Sequence, residues 1–510
     1  MFEQLATSLV GLIQLKYLTP LLLGTVAGVI GGALPGVTIT MTIILVLPFT
    51  FGLDPLQGLA AMTGVYVGGE CGGLVTACLI GIPGTPSAIA TMFDGLPMAR
   101  KGEPGRAVWL GVWASVAGGL LGAIFLIAAT GPLAAFALEF GPWEYFSLFI
   151  LALSMVAGLT EASLLKGLLA GAIGLVVTVI GADPIMAIPR FTLGWEFLRG
   201  GFPFLPVLIG IFAFSQIIAD VEKMGARGAA PGPAPVVAPS LAVSHLAVIR
   251  EIVTRPFLLL WSTLIGLLIG VLPAIGGSAA NIMAYDQAKK FSKHPERFGT
   301  GTPEGIIASE SSNNSNVAGS LVTIMAFGIP GDAVTAVMLG AMIIHGIQPG
   351  PLFISQEPRI AYGIFAAYLL AHPLAVLIIA LGTRVFLRIV TVPKSALIAV
   401  VLVLCAVGAY ALNNVMDAVW ILLLFGLFGF ALVKLGFPLA PFILGVILGD
   451  QIEVNLVRAI MTDANPWLFL TRPISGLLLV LSVASAGLAV WQHRRAQARL
   501  APAAEPDVDF

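Results

Sequence analysis

Two stretches of this chain interrupt apolar sequence in the same way. Leu74-Val75-Thr76 is followed, after four residues, by Gly81-Ile82-Pro83-Gly84, and Leu321-Val322-Thr323 by Gly328-Ile329-Pro330-Gly331. A second matched pair lies upstream, where Gly28, Gly32 and Pro35 have the spacing of Gly266, Gly270 and Pro273. Proline removes a backbone donor and clashes with the preceding turn, so a helix cannot pass through these points undisturbed. In lipid the freed backbone groups must find partners inside the protein. Matched breaks, once per half, are the sequence mark of a transporter binding site.

The surrounding composition makes lipid the relevant solvent. Of 510 residues, 58% are hydrophobic and 10% charged, against about 25% charged in soluble domains. Runs such as 107–130, 256–272, 360–381 and 474–491 reach the roughly 20 residues a helix needs to cross the hydrocarbon core. The expectation is an all-α polytopic membrane protein of about 11–13 membrane elements, including re-entrant hairpins at the breaks. The runs lack period-two alternation, which excludes a β-barrel. A net charge of −1 points away from nucleic acid. Cys71, Cys78 and Cys405 lie in apolar sequence without CxxC spacing and read as core residues. No basic region followed by a small-residue cleavage site opens the chain, so an uncleaved first span is expected.

Residues 225–240, GARGAAPGPAPVVAPS, read as a linker. The resulting division is a first membrane repeat at 1–224, a cytoplasmic Pro/Ala/Gly linker at 225–244, a second repeat at 245–491 and a polar, disordered cytoplasmic tail at 492–510. Lys223, Arg227, Arg250 and Arg255 beside the linker, and Arg494, Arg495 and Arg499 in the tail, place both on the cytoplasmic side by the positive-inside rule. Arg100, Lys101 and Arg106 argue the same for their loop. Inverted repeats are favoured, at the expense of a conflict: the basic loop Lys289, Lys290, Lys293 and Arg297 would then face outward.

Broken helices aim N-terminal ends, which attract anions, and unwound carbonyls, which attract cations, at a shared point. A carboxylate substrate coupled to Na⁺ or H⁺ suits such tips. Candidate substrate contacts are Pro35, Gly36, Thr38, Thr40, Gly84, Thr85, Gly276, Gly277, Ser278 and Gly331. Hard cations prefer oxygen, which singles out Glu70, Glu310, Asn313, Asn314 and Asp332, with Na⁺ as a possible occupant. Each has a plainer alternative. The hydroxyls could bond carbonyls one turn back, residues 303–316 could be a surface loop, and Glu70 could lie near the interface. Asp94 reads as a turn or helix cap at the membrane surface, and His345 and His372 as packing residues. No GxxxxGK[ST], G-x-S-x-G or H-E-x-x-H pattern occurs, so an enzyme is not expected.

Taken in order, Gly32-Ala33-Leu34-Pro35-Gly36, Ile82-Pro83-Gly84-Thr85-Pro86, Asp94-Gly95-Leu96-Pro97-Met98-Ala99-Arg100-Lys101-Gly102, Ala284-Tyr285-Asp286-Gln287, Pro303-Glu304-Gly305 through Asn313-Asn314 and His345-Gly346-Ile347-Gln348-Pro349-Gly350 resemble the large membrane subunit of the tripartite tricarboxylate transporters. The resemblance implies a permease of the bacterial inner membrane with two partners, a small membrane subunit and a periplasmic substrate-binding protein. It further implies import of citrate-like carboxylates driven by a cation gradient, with no other cofactor. The alternatives from other classes are a carboxylate or anion channel, an intramembrane enzyme and a docking scaffold.

Overall fold

The computed structural model describes residues 2–34, 36–159, 164–226, 241–273, 275–389 and 394–500. Pro35, Ala274, Glu161 and linker residues 227–240 lie outside them. The described chain is mainly helical, with one long irregular segment at 179–203 that carries a two-residue strand pair, Gly181–Ala182 with Pro189–Arg190. Nine described helices are long and apolar enough to cross a membrane, or ten if the bent pair His245–Val253 and Pro256–Val271 is one span. The 11–13 elements expected from sequence fall between these and the number reached by adding the five shorter apolar helices, because the breaks cut some spans to half length.

The chain forms two compact units, Met1–Glu139 with Pro203–Phe430, and Phe140–Phe202 with Ala431–Phe510. Each unit draws on sequence from both sides of the linker. In the first, helix Leu15–Ala33 runs alongside helix Pro55–Ile80 at backbone contact. A Cβ added at Gly28 would lie 2.8 Å from Val65 Cα, so only glycine permits this approach. Helix Pro256–Val271 runs in the same way along helix Pro303–Phe327, where a Cβ at Gly270 would lie 2.9 Å from the Ser320 nitrogen. The upstream helices stop at Leu34 and Leu272, whose backbones turn extended. Both long partners end on a left-handed glycine, Gly81 at φ 72° and Gly328 at φ 71°, a conformation closed to most side chains.

The two long helices pass each other in opposite directions. Tyr66 and Ser320 share the Asp332 carboxylate, Asn314 Nδ2 donates to Cys71 Sγ at 3.2 Å, and Leu74 and Glu310 both lie against Gly111. Positions rising from 66 to 74 on one helix thus meet positions falling from 320 to 310 on the other. Around them Val29, Leu74, Trp109, Ile307 and Ile379 belong to one buried apolar cluster.

Both basic loops lie at the same end of this unit. Gly299 and Gly301, just beyond Arg297, donate to Asp94 in the helix that ends at Arg100. There Arg106 pairs with Glu103 and Glu251, and Arg255 with Glu304. The expected conflict over Lys289, Lys290, Lys293 and Arg297 is therefore absent. Helix Gly276–Phe291 follows the second upstream break as Ile39–Val46 follows the first.

The second unit packs helices Pro142–Leu159, Leu164–Thr178, Leu439–Thr462 and Pro473–Leu500. Arg472 pairs with buried Glu144 at 2.6 Å, and Ser147 with Ser475 at 2.8 Å. Its last helix continues to Leu500, so the polar sequence after Gln492, expected to be disordered, begins as helix.

Candidate functional site

Helix Pro303–Phe327 is the most polar buried element of the first unit. Every residue from Gly305 to Ala326 is buried, including Ser309, Glu310, Ser311, Ser312, Asn313, Asn314, Ser315 and Asn316. The surface-loop alternative is excluded. Its hydroxyls close on the helix itself, Ser309 Oγ donating to Gly305 O at 2.9 Å and Ser312 Oγ to Ser309 O at 2.8 Å. This arrangement hides polarity in a small-residue helix and lets neighbours approach closely.

Glu70 sits mid-helix in Pro55–Ile80 and is buried, not interfacial. Its carboxylate accepts from Ser87, on the turn that follows the first Gly-Ile-Pro-Gly, and Ser87 also bonds Thr85 at 3.0 Å. Facing them is the N-terminus of helix Gly276–Phe291, which starts on left-handed Gly276 at φ 76°. A Cβ added at Gly277 would lie 3.1 Å from Asn313 Oδ1, 3.3 Å from Ser87 Cβ and 3.5 Å from Glu70 Oε1, and one at Gly276 would lie 3.6 Å from Asp332 Cβ. Four segments distant in sequence therefore converge on this helix start.

Asn313 is the unusual member. It is within electrostatic reach of Glu70 and Glu310, yet neither Oδ1 nor Nδ2 makes a hydrogen bond of good geometry. A fully buried amide with no well-formed hydrogen bond at either end is costly and calls for an explanation. A helix N-terminus carries roughly half a positive charge. Asn313, Glu70, Ser87 and the Gly276-Gly277 amides together offer donors and acceptors at one spot.

The other candidates are held differently. Asp332 caps helix Ala333–Ile344, accepting from the Thr335 amide and hydroxyl at 2.8 Å each, and from Tyr66 and Ser320. Its oxygens are filled by protein. Glu310 accepts from Thr91 at 2.5 Å and Ser115 at 2.8 Å. Asn281, one turn after Gly277, buttresses this side by bonding the Ala90 amide and Ser309 O. Asn314 bonds Cys71 through Nδ2 and leaves Oδ1 unpartnered. Among the described residues no lysine or arginine is buried, so none of these acids has a protein cation at hand.

Gly84 and Gly331 press against the upstream helices, next to the Gly32 and Gly270 carbonyls respectively, and Thr85 is buried beside Ser87. The first upstream break splits. Thr38 caps its short helix by accepting from Met41 N at 3.1 Å, Thr40 is buried, and Ile39 packs on Gly69. Gly36 instead faces Asp220, in a pocket with Met41, Ile217 and Val401. Ser278 is half-buried in the first turn after Gly277. Pro35 lies outside the described residues.

Sequence reasoning missed Ser87, Thr91, Ser115, Asn281 and Tyr66. Two signals were available: Tyr66 precedes Glu70 by four residues, and Asn281 follows Gly277 by four, so each shares a helix face with its partner. Asp94 is not a cap at the surface. It is buried inside helix Ile89–Arg100, where one oxygen accepts from the Gly299, Gly301 and Thr302 amides at 2.7–3.0 Å and the other from Tyr285 at 2.9 Å. His372 packs as expected, bonded to Tyr368 O and set edge-on against the Tyr368 ring.

Spanning helices, paired breaks and a buried polar centre define a class, that of multi-pass membrane transport proteins. The chain belongs to the Tripartite tricarboxylate transporter TctA family, which it matches over residues 18–444. It is similar to the "Uncharacterized 52.8 kDa protein in TAR-I ttuC' 3'region" of Agrobacterium vitis, 34% identical over 468 residues, 92% of either chain. A second Agrobacterium vitis relative, the "Uncharacterized protein in TAR-II ttuC' 3'region", is 33% identical over 226 residues, 44% of this chain and 93% of that one. No solved structure matches.

Proposed function

We propose that this chain is the large permease subunit of a binding-protein-dependent secondary transporter in the bacterial inner membrane. It imports di- or tricarboxylates with a coupling cation, Na⁺ or H⁺, alongside a small membrane subunit and a periplasmic substrate-binding protein. Family membership supports the partners and substrate class. Residues 1–224 and 245–491 act as inverted repeats, a reading supported by the opposed directions of helices Pro55–Ile80 and Pro303–Phe327. With both basic loops at one end of the first unit, that end is cytoplasmic, and the arginines after the last span make the C-terminus cytoplasmic as well.

The observation that carries the reading is the convergence of Gly277, Asn313, Ser87 and Glu70. The helix start and hydroxyls receive a carboxylate, while a proton or Na⁺ compensates acids that no buried basic residue among those described neutralises. Coupling follows: substrate and cation each lower the electrostatic cost of burying the other. The test is uptake by the reconstituted three-component system across varied Na⁺ and pH. Wild type should accumulate labelled citrate-like acids against their gradient, and Asn313→Ala should lose uptake while remaining monodisperse. Saturation-free flux without accumulation would mark a channel and overturn the proposal.

A further inference from the structure

The segment between helices Leu164–Thr178 and Phe204–Leu208 is carefully built. Gly181–Ala182 pairs antiparallel with Pro189–Arg190. Asp183 organises the intervening turn, its Oδ1 accepting from the Ile185 amide at 2.7 Å and the Met186 amide at 3.3 Å. Arg190 fixes the base through a two-pronged pair with Glu453, at 2.6 and 3.0 Å. The hairpin nevertheless turns its large apolar side chains outward. Phe191 is 69% exposed, Leu193 81% and Trp195 57%, with Met186 and Ile188 beside them.

Its backbone is also costly. Ala187, Phe191 and Leu193 hold φ of 56°, 52° and 52°, a left-handed region that bulky residues avoid. Such conformations persist only where surroundings enforce them, and within the described residues little covers Phe191 or Leu193.

We propose that segment 183–199 is an interfacial anchor whose apolar face, Met186, Ile188, Phe191, Leu193 and Trp195, rests in the boundary between lipid headgroups and acyl chains. Continuity names the occupant. The hairpin begins within three residues of the end of the apolar helix Leu164–Thr178, whose exposed Leu165, Leu168, Leu169 and Val176 form an apolar flank continuous with it. Trp195 stacks on Phe197 at 5.5 Å, the kind of aromatic pair that settles at headgroup level. Charge excludes a requirement for anionic lipid. Arg190 is engaged by Glu453 and Arg199 by Glu196 at 3.0 Å, so no basic face is left to attract it. Zwitterionic lipid suffices.

The test uses the full chain in phosphatidylcholine nanodiscs. Leu193→Cys is labelled with an environment-sensitive fluorophore, and Lys293→Cys, in an exposed polar loop, serves as the aqueous reference. Native Cys71, Cys78 and Cys405 are buried and escape the reagent. At 193 the emission should be blue-shifted and quenched about threefold more by headgroup-level spin-labelled lipid than by aqueous iodide. At 293 the order should reverse, and adding phosphatidylserine should leave the emission maximum at 193 unchanged. Stronger quenching by iodide at 193 would put the hairpin in water. Protection from both quenchers would show a protein seated there. Either result overturns the anchor.

Discussion

The two Gly-Ile-Pro-Gly arms share a backbone and differ in chemistry. Each opens on a left-handed glycine, and each presses a second glycine, Gly84 or Gly331, onto the upstream helix. At the next position the arms part. Asp332 closes a full capping box and takes Tyr66 and Ser320 as well, whereas Thr85 makes no side-chain cap and a short tight turn, Pro86–Ala88, follows. That turn presents Ser87 to Glu70. One arm is tied to the protein; the other offers its side chains to the centre. The difference teaches that the duplicated break fixes geometry, while the unmatched residues decide which arm can respond to a ligand.

The largest effect should come from what the arms share. Gly84→Val and Gly331→Val each force a side chain into backbone, next to the Gly32 carbonyl or 2.7 Å from Ser320 Cα at the first carbon alone. Overpacking typically costs 1–3 kcal/mol, and more where backbone cannot yield. Both variants should therefore lose most monodisperse protein in size-exclusion chromatography, to a similar degree. Full expression of one alone would show that the geometric match between arms is not a functional one.

The next test separates the arms. Asp332→Ala removes a helix cap, worth about 1 kcal/mol, and strands buried Tyr66, for a further ~1–3 kcal/mol. Glu70→Gln keeps size and can still bond Ser87, so its stability should stay within about 1 kcal/mol of wild type, while uptake disappears. Thermal melting beside reconstituted transport reads both. Were Glu70→Gln as destabilising as Asp332→Ala, or transport-competent, the division into anchored and responsive arms would fail.

How much of this was legible depends on the distance over which the partners act. The breaks themselves are local: proline and glycine act on their own turn, so their positions can be read directly. The run 303–316 was ambiguous because its serines look solvent-seeking in sequence, and only the helix-internal bonds of Ser309 and Ser312 show how they tolerate burial. Glu70 and Glu310 look alike as isolated acids in small-residue surroundings. What distinguishes them is Ser87 near one and Thr91 with Ser115 near the other, partners set by tertiary packing. Asp94 was misread for the same reason, since its amide partners lie more than 200 residues away.

Asp94 and Glu310 provide the finest version of the comparison, because both acids are buried and fully bonded but to donors of different kinds. Three of the four groups facing Asp94 are backbone amides, which can only donate. Those that bond Glu310 are the Thr91 and Ser115 hydroxyls, which donate or accept by rotating. Asp94→Ala should strand amides at the start of helix Pro303–Phe327 and lower stability by about 2–4 kcal/mol, whereas Glu310→Gln should cost under about 1 kcal/mol, because Thr91 or Ser115 can turn to accept from the new amide. Melting curves of the two variants in the same detergent decide the matter. A Glu310→Gln loss equal to that of Asp94→Ala would mean that the hydroxyls cannot reorient, and that the Glu310 carboxylate is held as rigidly as the Asp94 clasp.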